Sequence, residues 1–133
     1  ERFEATEISE KGRGTLTIPE LGCLKSHLNV LLKTDSELTL ILEDDFQLCE
    51  NFDVELKKVL SELPKDFQAL WLGGRIVGER EDYSDSLMKI KGITGTYGSR
   101  AFKNVYKTKK NLVKHRDGYS YILNKEVEYK DLR

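Results

Sequence analysis

Little in this sequence is concentrated enough to identify it at a glance. Its 133 residues include only two cysteines, Cys23 and Cys49. Two are too few for a disulfide framework or a structural zinc site. Both stand in apolar or helical surroundings, which reads as free buried thiols and a reducing compartment. No charge of one sign dominates, because 22 basic residues face 23 acidic ones for a net charge of −1. The basic excess that non-specific nucleic-acid binding needs is therefore missing. No apolar run approaches the roughly 18–20 residues of a membrane span, and no signal peptide is visible. Internal repeats and low-complexity segments are also missing. The chain opens at Glu1-Arg2-Phe3 without a methionine, so a segment preceding it is expected.

What is present is enough for a core. Hydrophobic residues make up 38% and charged residues 34%, which argues against wholesale disorder and for one domain over residues 1–133. Two glycines among small polar residues make 9–16 a loop. Thr17-Ile18-Pro19-Glu20 then announces a helix: proline is tolerated in a first turn, and Thr followed three residues later by Glu is a capping box. Leu21, Leu24, Leu28, Leu31 and Leu32 continue one apolar stripe to about Lys33.

Leu38-Thr39-Leu40-Ile41-Leu42 reads as a buried, parallel, central strand ending in Glu43-Asp44-Asp45. Phe52, Leu56, Val59, Leu60 and Leu63 predict a second amphipathic helix, stopped by Pro64. Phe67 to Leu72 is a further buried strand ended by Gly73-Gly74. Residues 73–86 read as a charged, mobile loop. Leu87 to Ile93 alternates apolar and basic residues like a more exposed strand. Ala101 to Tyr106 is another strand, and Thr108 to Lys114 a short helix. Strands alternating with helices predict an α/β fold with a mostly parallel sheet. Ligands of such sheets bind beyond the carboxyl ends of the strands, where both the acidic triplet and Gly73-Gly74-Arg75 fall.

The triplet is where chemistry is expected. Two carboxylates about 4 Å apart repel by roughly 4 kcal/mol at an effective dielectric near 20. A divalent cation removes that cost, and Mg²⁺ and Mn²⁺ favour carboxylate oxygens together with substrate phosphates. Continued strand alternation places Glu43 and Asp45 on one face and Asp44 on the other. Asp45 and Glu43 are then the metal ligands, Glu43 also reaching for a ribose hydroxyl, with Asp44 in support. The plainer reading is an acidic turn that caps the next helix. A phospho-acceptor receiver domain is a rival, but it needs an Asp at the end of a later strand, and Phe67–Leu72 ends in glycine.

Other residues divide between bland and functional readings. Lys103, Lys107, Lys109, Lys110, Lys114 and Arg116 make either a solvated helix face or a patch for an anionic substrate or a membrane. Arg75 follows two glycines, so it is either a phosphate contact or a solvated loop arginine. Trp71 reads as core. Ser26 and His27 adjoin on a helix, where their side chains diverge, so no nucleophile triad forms around them.

The segment Leu21-Gly22-Cys23-Leu24-Lys25-Ser26-His27, preceded by Pro19-Glu20, resembles the E-x-G-C-x-x-S-H signature of glycosyltransferase family 25. These are the lipooligosaccharide galactosyltransferases and their relatives. Leu40-Ile41-Leu42-Glu43-Asp44-Asp45 stands where that family has a strand ending in Glu-Asp-Asp, and Gly95-Thr96-Tyr97 is similar to its later Gly-Thr-Tyr segment. The resemblance covers residues 17–75 well. It implies a Rossmann-like glycosyltransferase fold of the A type, here lacking the strand and helix with which the family begins. It also implies transfer of a sugar, often galactose, from a UDP-sugar to a saccharide or glycolipid acceptor, with inversion. Mn²⁺ or Mg²⁺ would be the cofactor. Glu43, Asp44, His27 and Arg75 are the expected substrate contacts, Asp45 and Glu43 the expected metal ligands. Asp117 is the expected base by position, with Glu79, Glu81 and Asp82 as alternatives. A cytoplasmic enzyme, peripherally placed at the inner face of the membrane, follows. The alternative is a non-catalytic relative that binds a sugar or a protein.

Overall fold

A computed structural model describes residues 2–9, 16–74, 78–93, 103–116, 118–120 and 125–127. In chain order the elements are α1 (Ile18–Lys33), β1 (Phe46–Leu48), α2 (Phe52–Glu62), β2 (Ala69–Trp71) and β3 (Gly78–Asp82). After these come β4 (Leu87–Ile93), β5 (Val105–Thr108), β6 (Val113–His115), β7 (Gly118–Ser120) and β8 (Lys125–Val127). They fall into two compact units, Glu1–Leu42 with Gly118–Val127, and Glu43–Asp117 with Glu128–Arg133. Among the described residues no helix is long and apolar enough to cross a membrane.

In the first unit, α1 starts as its sequence predicts. The Thr17 backbone N–H donates to Glu20 Oε2 at 2.7 Å, and Glu20 N–H donates to Thr17 Oγ1 at 3.4 Å, so both halves of the capping box form. The segment over residues 2–9 packs against the helix and is tied to it through Thr6. Thr6 N–H donates to Ser26 Oγ at 2.8 Å, and Asn29 Nδ2 donates to Thr6 Oγ1 at 2.9 Å. The Ser26 hydroxyl in turn donates to the Gly22 carbonyl at 2.8 Å. A Cβ on Gly22 would stand 3.1 Å from the Thr6 carbonyl oxygen, so only the smallest residue leaves the segment undisturbed. Gly22 and Ser26 thus have a structural duty within the motif that singled them out. β7 and β8 pair antiparallel.

The expected strand over 38–42 does not form. Leu38 and Leu40 are 57% and 51% exposed, and no strand among the described residues pairs with them. An apolar run supplies the side chains of a buried strand, but the ladder needs a partner from elsewhere in the chain. Pairing begins only after the acidic triplet, at Phe46.

The second unit is built on a four-stranded sheet ordered β2-β5-β4-β3. β2 and β5 run parallel, whereas β5 with β4 and β4 with β3 run antiparallel. A mostly parallel sheet is therefore not what forms among the described residues: this four-stranded sheet has one parallel pair and two antiparallel ones. One face of the sheet packs under α2, where Val59, Leu87, Tyr106 and Leu112 form the core, with Phe52, Leu56 and Leu70 against it. On the other face Ile90 and Val105 pack with Ala69 and Trp71.

Two local expectations are corrected here. Within 73–86, expected to be a mobile loop, lies β3, an edge strand whose acidic residues oppose basic ones on β4. Glu79 faces Lys91 and Glu81 faces Lys89, and Lys91 Nζ bonds Glu81 Oε2 at 2.5 Å. Charges on both strands hide the alternation, yet a charged edge is how sheets avoid further pairing. The turn that follows is gripped by Glu62 at the end of α2. Its carboxylate accepts from the Ser84 hydroxyl, from Ser86 N–H at 3.0 Å and from Ser86 Oγ at 2.8 Å. Thr108–Lys114, expected to be a helix, forms a turn and then β6. The amides a helix would use are taken: Lys109 N–H by Ser86 O at 2.9 Å, and Leu112 N–H by Leu72 O at 2.7 Å. Leu112, 1% exposed, plugs the core beneath α2.

Candidate functional site

The acidic triplet opens the second unit and leads directly into β1. Asp44 and Asp45 lie in a turn closed by Phe46 N–H donating to Glu43 O at 3.3 Å. β1 pairs antiparallel with β6, placing Phe46 opposite His115, Gln47 opposite Lys114 and Leu48 opposite Val113. This short ladder connects residues some seventy positions apart in the chain and brings a histidine to the carboxylates. His115 Nδ1 lies 3.0 Å from Asp45 Oδ1 and 3.6 Å from Glu43 Oε2.

The backbone around this trio is pinned by Arg116. Arg116 N–H donates to Asp45 O at 2.8 Å, and Arg116 Nη2 donates to Asp44 O at 3.0 Å. Glu43 and Asp45 therefore converge because of a turn and a cross-strand partner. The strand alternation from which the sequence pairs them is not the reason. All three side chains are partly exposed (32% for His115, 43% for Glu43, 44% for Asp45), so a small ion or ligand can reach them.

β6 is itself placed by a glycine. A Cβ on Gly73 would stand 1.7 Å from the Val113 carbonyl oxygen, inside any van der Waals contact. Gly74 follows with φ of 81°, a left-handed conformation that L side chains rarely adopt. The Gly73-Gly74 turn at the end of β2 thus lets the strand carrying His115 pass close by.

The donor set fits a divalent cation. Ligand atoms of Glu43, Asp45 and His115 all lie within 4.8 Å of one another. Neighbouring ligands of an octahedral ion with bonds of about 2.1 Å stand about 3.0 Å apart, and Asp45 Oδ1 to His115 Nδ1 is 3.0 Å. Two carboxylates with one imidazole favour a transition ion such as Mn²⁺ over Mg²⁺, which prefers oxygen alone.

His115 is the member of this cluster that sequence reasoning misses. The usable signal was thin: it is one of only two histidines in the chain, and a pair of carboxylates seeking a metal needs a further ligand. Asp44 is an exposed turn residue. His27 stands half-buried on α1 in the first unit. Arg75, Asp117 and the Gly95-Thr96-Tyr97 segment lie outside the described residues. Trp71 packs against Ile90 and Val105, in keeping with a core role. Cys23 and Cys49 form no disulfide and are only half-buried.

Comparison with known proteins returned one family. The family model described as glycosyltransferase family 25 (LPS biosynthesis protein) matches residues 2–130. Neither the curated proteins nor the solved structures contain a significant match to the chain.

Proposed function

Because the chain belongs to glycosyltransferase family 25, the glycosyltransferases of lipopolysaccharide biosynthesis, we propose that it moves a hexose, galactose, from a UDP-sugar to a saccharide acceptor. The acceptor is the growing sugar of lipopolysaccharide or lipooligosaccharide, and the reaction inverts the anomeric carbon. Asp45, Glu43 and His115 would hold a divalent metal. The observation that carries this reading is the convergence of those three side chains.

When bound, the metal would neutralise charge gathering on the departing diphosphate. The chain's own residues prepare the site for it. Arg116 fixes the turn through the carbonyls of Asp44 and Asp45, and the β1–β6 ladder holds His115 opposite Phe46. Ligands on a pinned turn and a paired strand lose little freedom when a substrate arrives. In the transfer, the acceptor oxygen forms the new bond to C1 of the sugar. The bond from C1 to the diphosphate oxygen breaks and its electron pair leaves with UDP. The acceptor proton passes to a general base.

Asp117, two residues after His115 in the chain, is the proposed base. Glu81 and Asp82 are poorer choices, because they are engaged with Lys91 and Lys109, and Glu79 faces Lys91 across the hairpin. Arg75, Asp44 and His27 are proposed substrate contacts. A lipid-linked acceptor places the proposed enzyme at the inner face of the membrane, in peripheral association.

The test is a melting experiment with UDP and Mn²⁺, since a ligand that binds only the folded state raises stability. UDP should raise the melting temperature in the presence of Mn²⁺, and Asp45→Ala should abolish that shift while the ligand-free protein melts as the parent does. Failure of the parent to shift at millimolar UDP and Mn²⁺ would overturn the reading.

A further inference from the structure

The ladder of β1 and β6 carries more than the histidine that it brings to the carboxylates. β1 is exposed along its whole length, although two of its three residues are large and apolar. Phe46 is 37% exposed and Leu48 39%. Neither takes part in the hydrophobic clusters of the second unit. Among the described residues no other ring and no cation packs on Phe46. An isolated apolar residue at a surface needs no explanation, but a run of them beside a polar site does.

Strand register shows that these residues form such a run. Side chains directly opposite in an antiparallel pair share a face, and so do residues two apart along one strand. Phe46 is opposite His115 and Leu48 opposite Val113. These four therefore share one face of the ladder, and Gln47 and Lys114 share the other. Opposed Cβ atoms stand about 4.5–5.5 Å apart, which sets Phe46 beside the residue that supplies the imidazole of the cluster. Phe46 also follows Asp45 directly in the chain. The apolar shelf is thus continuous with the cluster of Glu43, Asp45 and His115, and all of it belongs to the second unit.

An ion-binding end joined to an apolar shelf matches the reacting end of a sugar nucleotide. The cluster suits the diphosphate through its metal. The hexose is bonded to that diphosphate through a single oxygen, whereas the uracil is set apart from it by the ribose. A pyranose ring carries C–H groups as well as hydroxyls. The axial 4-hydroxyl of galactose leaves the C–H groups of C3, C4 and C5 together on one side. The face of an aromatic ring is negative, so it receives such polarised C–H groups without needing a hydrogen bond. We propose that Phe46, flanked by Leu48, is the platform on which the apolar face of the donor hexose rests. The inference depends on the proposed sugar transfer and adds to it a residue that recognises the sugar and not the nucleotide.

The experiment is calorimetry on the whole chain with three probes: Mn²⁺ alone, then UDP and UDP-galactose in the presence of Mn²⁺. Phe46→Ala should weaken UDP-galactose about tenfold and leave UDP and Mn²⁺ binding unchanged. Phe46→Leu keeps apolar bulk on the strand without a ring face, so it too should weaken UDP-galactose while the ladder stays intact. Phe46→Tyr retains the face and should bind UDP-galactose as the parent does. Equal weakening of UDP and UDP-galactose would place the uracil on the ring and overturn the inference. Loss of Mn²⁺ affinity in Phe46→Leu would overturn it as well, because the ring would then only support the ladder. A parent that binds UDP with Mn²⁺, but whose UDP-galactose affinity is indifferent to Phe46→Ala, loses this inference and keeps the proposed function. A parent that binds neither nucleotide loses both.

Discussion

At the scale of single residues, the site depends on a histidine whose position no local pattern announces. Glu43 and Asp45 stand out from the sequence because consecutive carboxylates after an apolar run demand an explanation. His115 carries no such demand: it follows Val113 and Lys114 in a stretch that reads as a basic helix, and only the fold sets it 3.0 Å from Asp45 Oδ1. If it is the third ligand, His115→Ala should weaken Mn²⁺ binding more than Mg²⁺ binding, because imidazole contributes most where the ion tolerates nitrogen. A loss of about ten- to a hundredfold in Mn²⁺ affinity is expected, comparable with removing a supporting partner of a metal ligand. The check is competition for Mn²⁺ followed by its paramagnetic resonance signal. Equal losses for both ions would mean that His115 only supports the turn.

The elements divide by how local their causes are. α1, α2, β2 and β4 are legible because each rests on signals inside its own span: a capping box at Thr17, an apolar stripe from Phe52 to Leu63, a run ended by glycine, an alternation from Leu87. The same logic fails for β1, β3 and β6. β1 and β6 have three residues each, too few for a period, and each exists because the other does. β3 hides its pairing in charges that only β4 can interpret. The non-local pairing of β1 with β6 places the candidate site, so the sequence singles out the two carboxylates but not what they meet. Gly73 tests that dependence. Adding one methyl there sets a Cβ 1.7 Å from the Val113 carbonyl oxygen, a clash with backbone that no rotamer relieves. Gly73→Ala should therefore destabilise the second unit by about 1–3 kcal/mol, as overpacking does, and also shift β6. The expected signature is double: a lower urea midpoint by Trp71 fluorescence, and a loss of Mn²⁺ affinity although no ligand was changed. Gly74→Ala, where no atom lies within 4 Å but φ is 81°, should cost stability and spare the metal.

For the whole molecule, the titrating groups predict how stability follows pH, and they act in opposite directions at the two ends. Glu62, bonded by Ser84 and Ser86, and Glu20, bonded by Thr17, are both held below the ordinary carboxylate value. Their contributions are complete above about 4.5 and are lost as pH falls through the lowered folded values. Lys91 and Lys110 are raised by Glu81 and Glu55. What they contribute is present below their unfolded value and lost as pH rises beyond it. Lys107 runs the other way from these lysines. Its folded value is about 8 against 10.5 unfolded, so between those limits the unfolded chain holds the extra proton and stability rises with pH. The gap corresponds to at most about 3 kcal/mol, spread across the alkaline range. Other groups titrate there too, so the comparison with Lys107→Met is what isolates it. Urea unfolding followed by Trp71, the one tryptophan of the chain and a residue of the same sheet, should show the parent approaching the variant as pH climbs from 7 to 10. The variant should be the more stable protein at neutral pH and lose that advantage by the upper end. Parallel pH profiles would mean that Lys107 keeps its charge without strain.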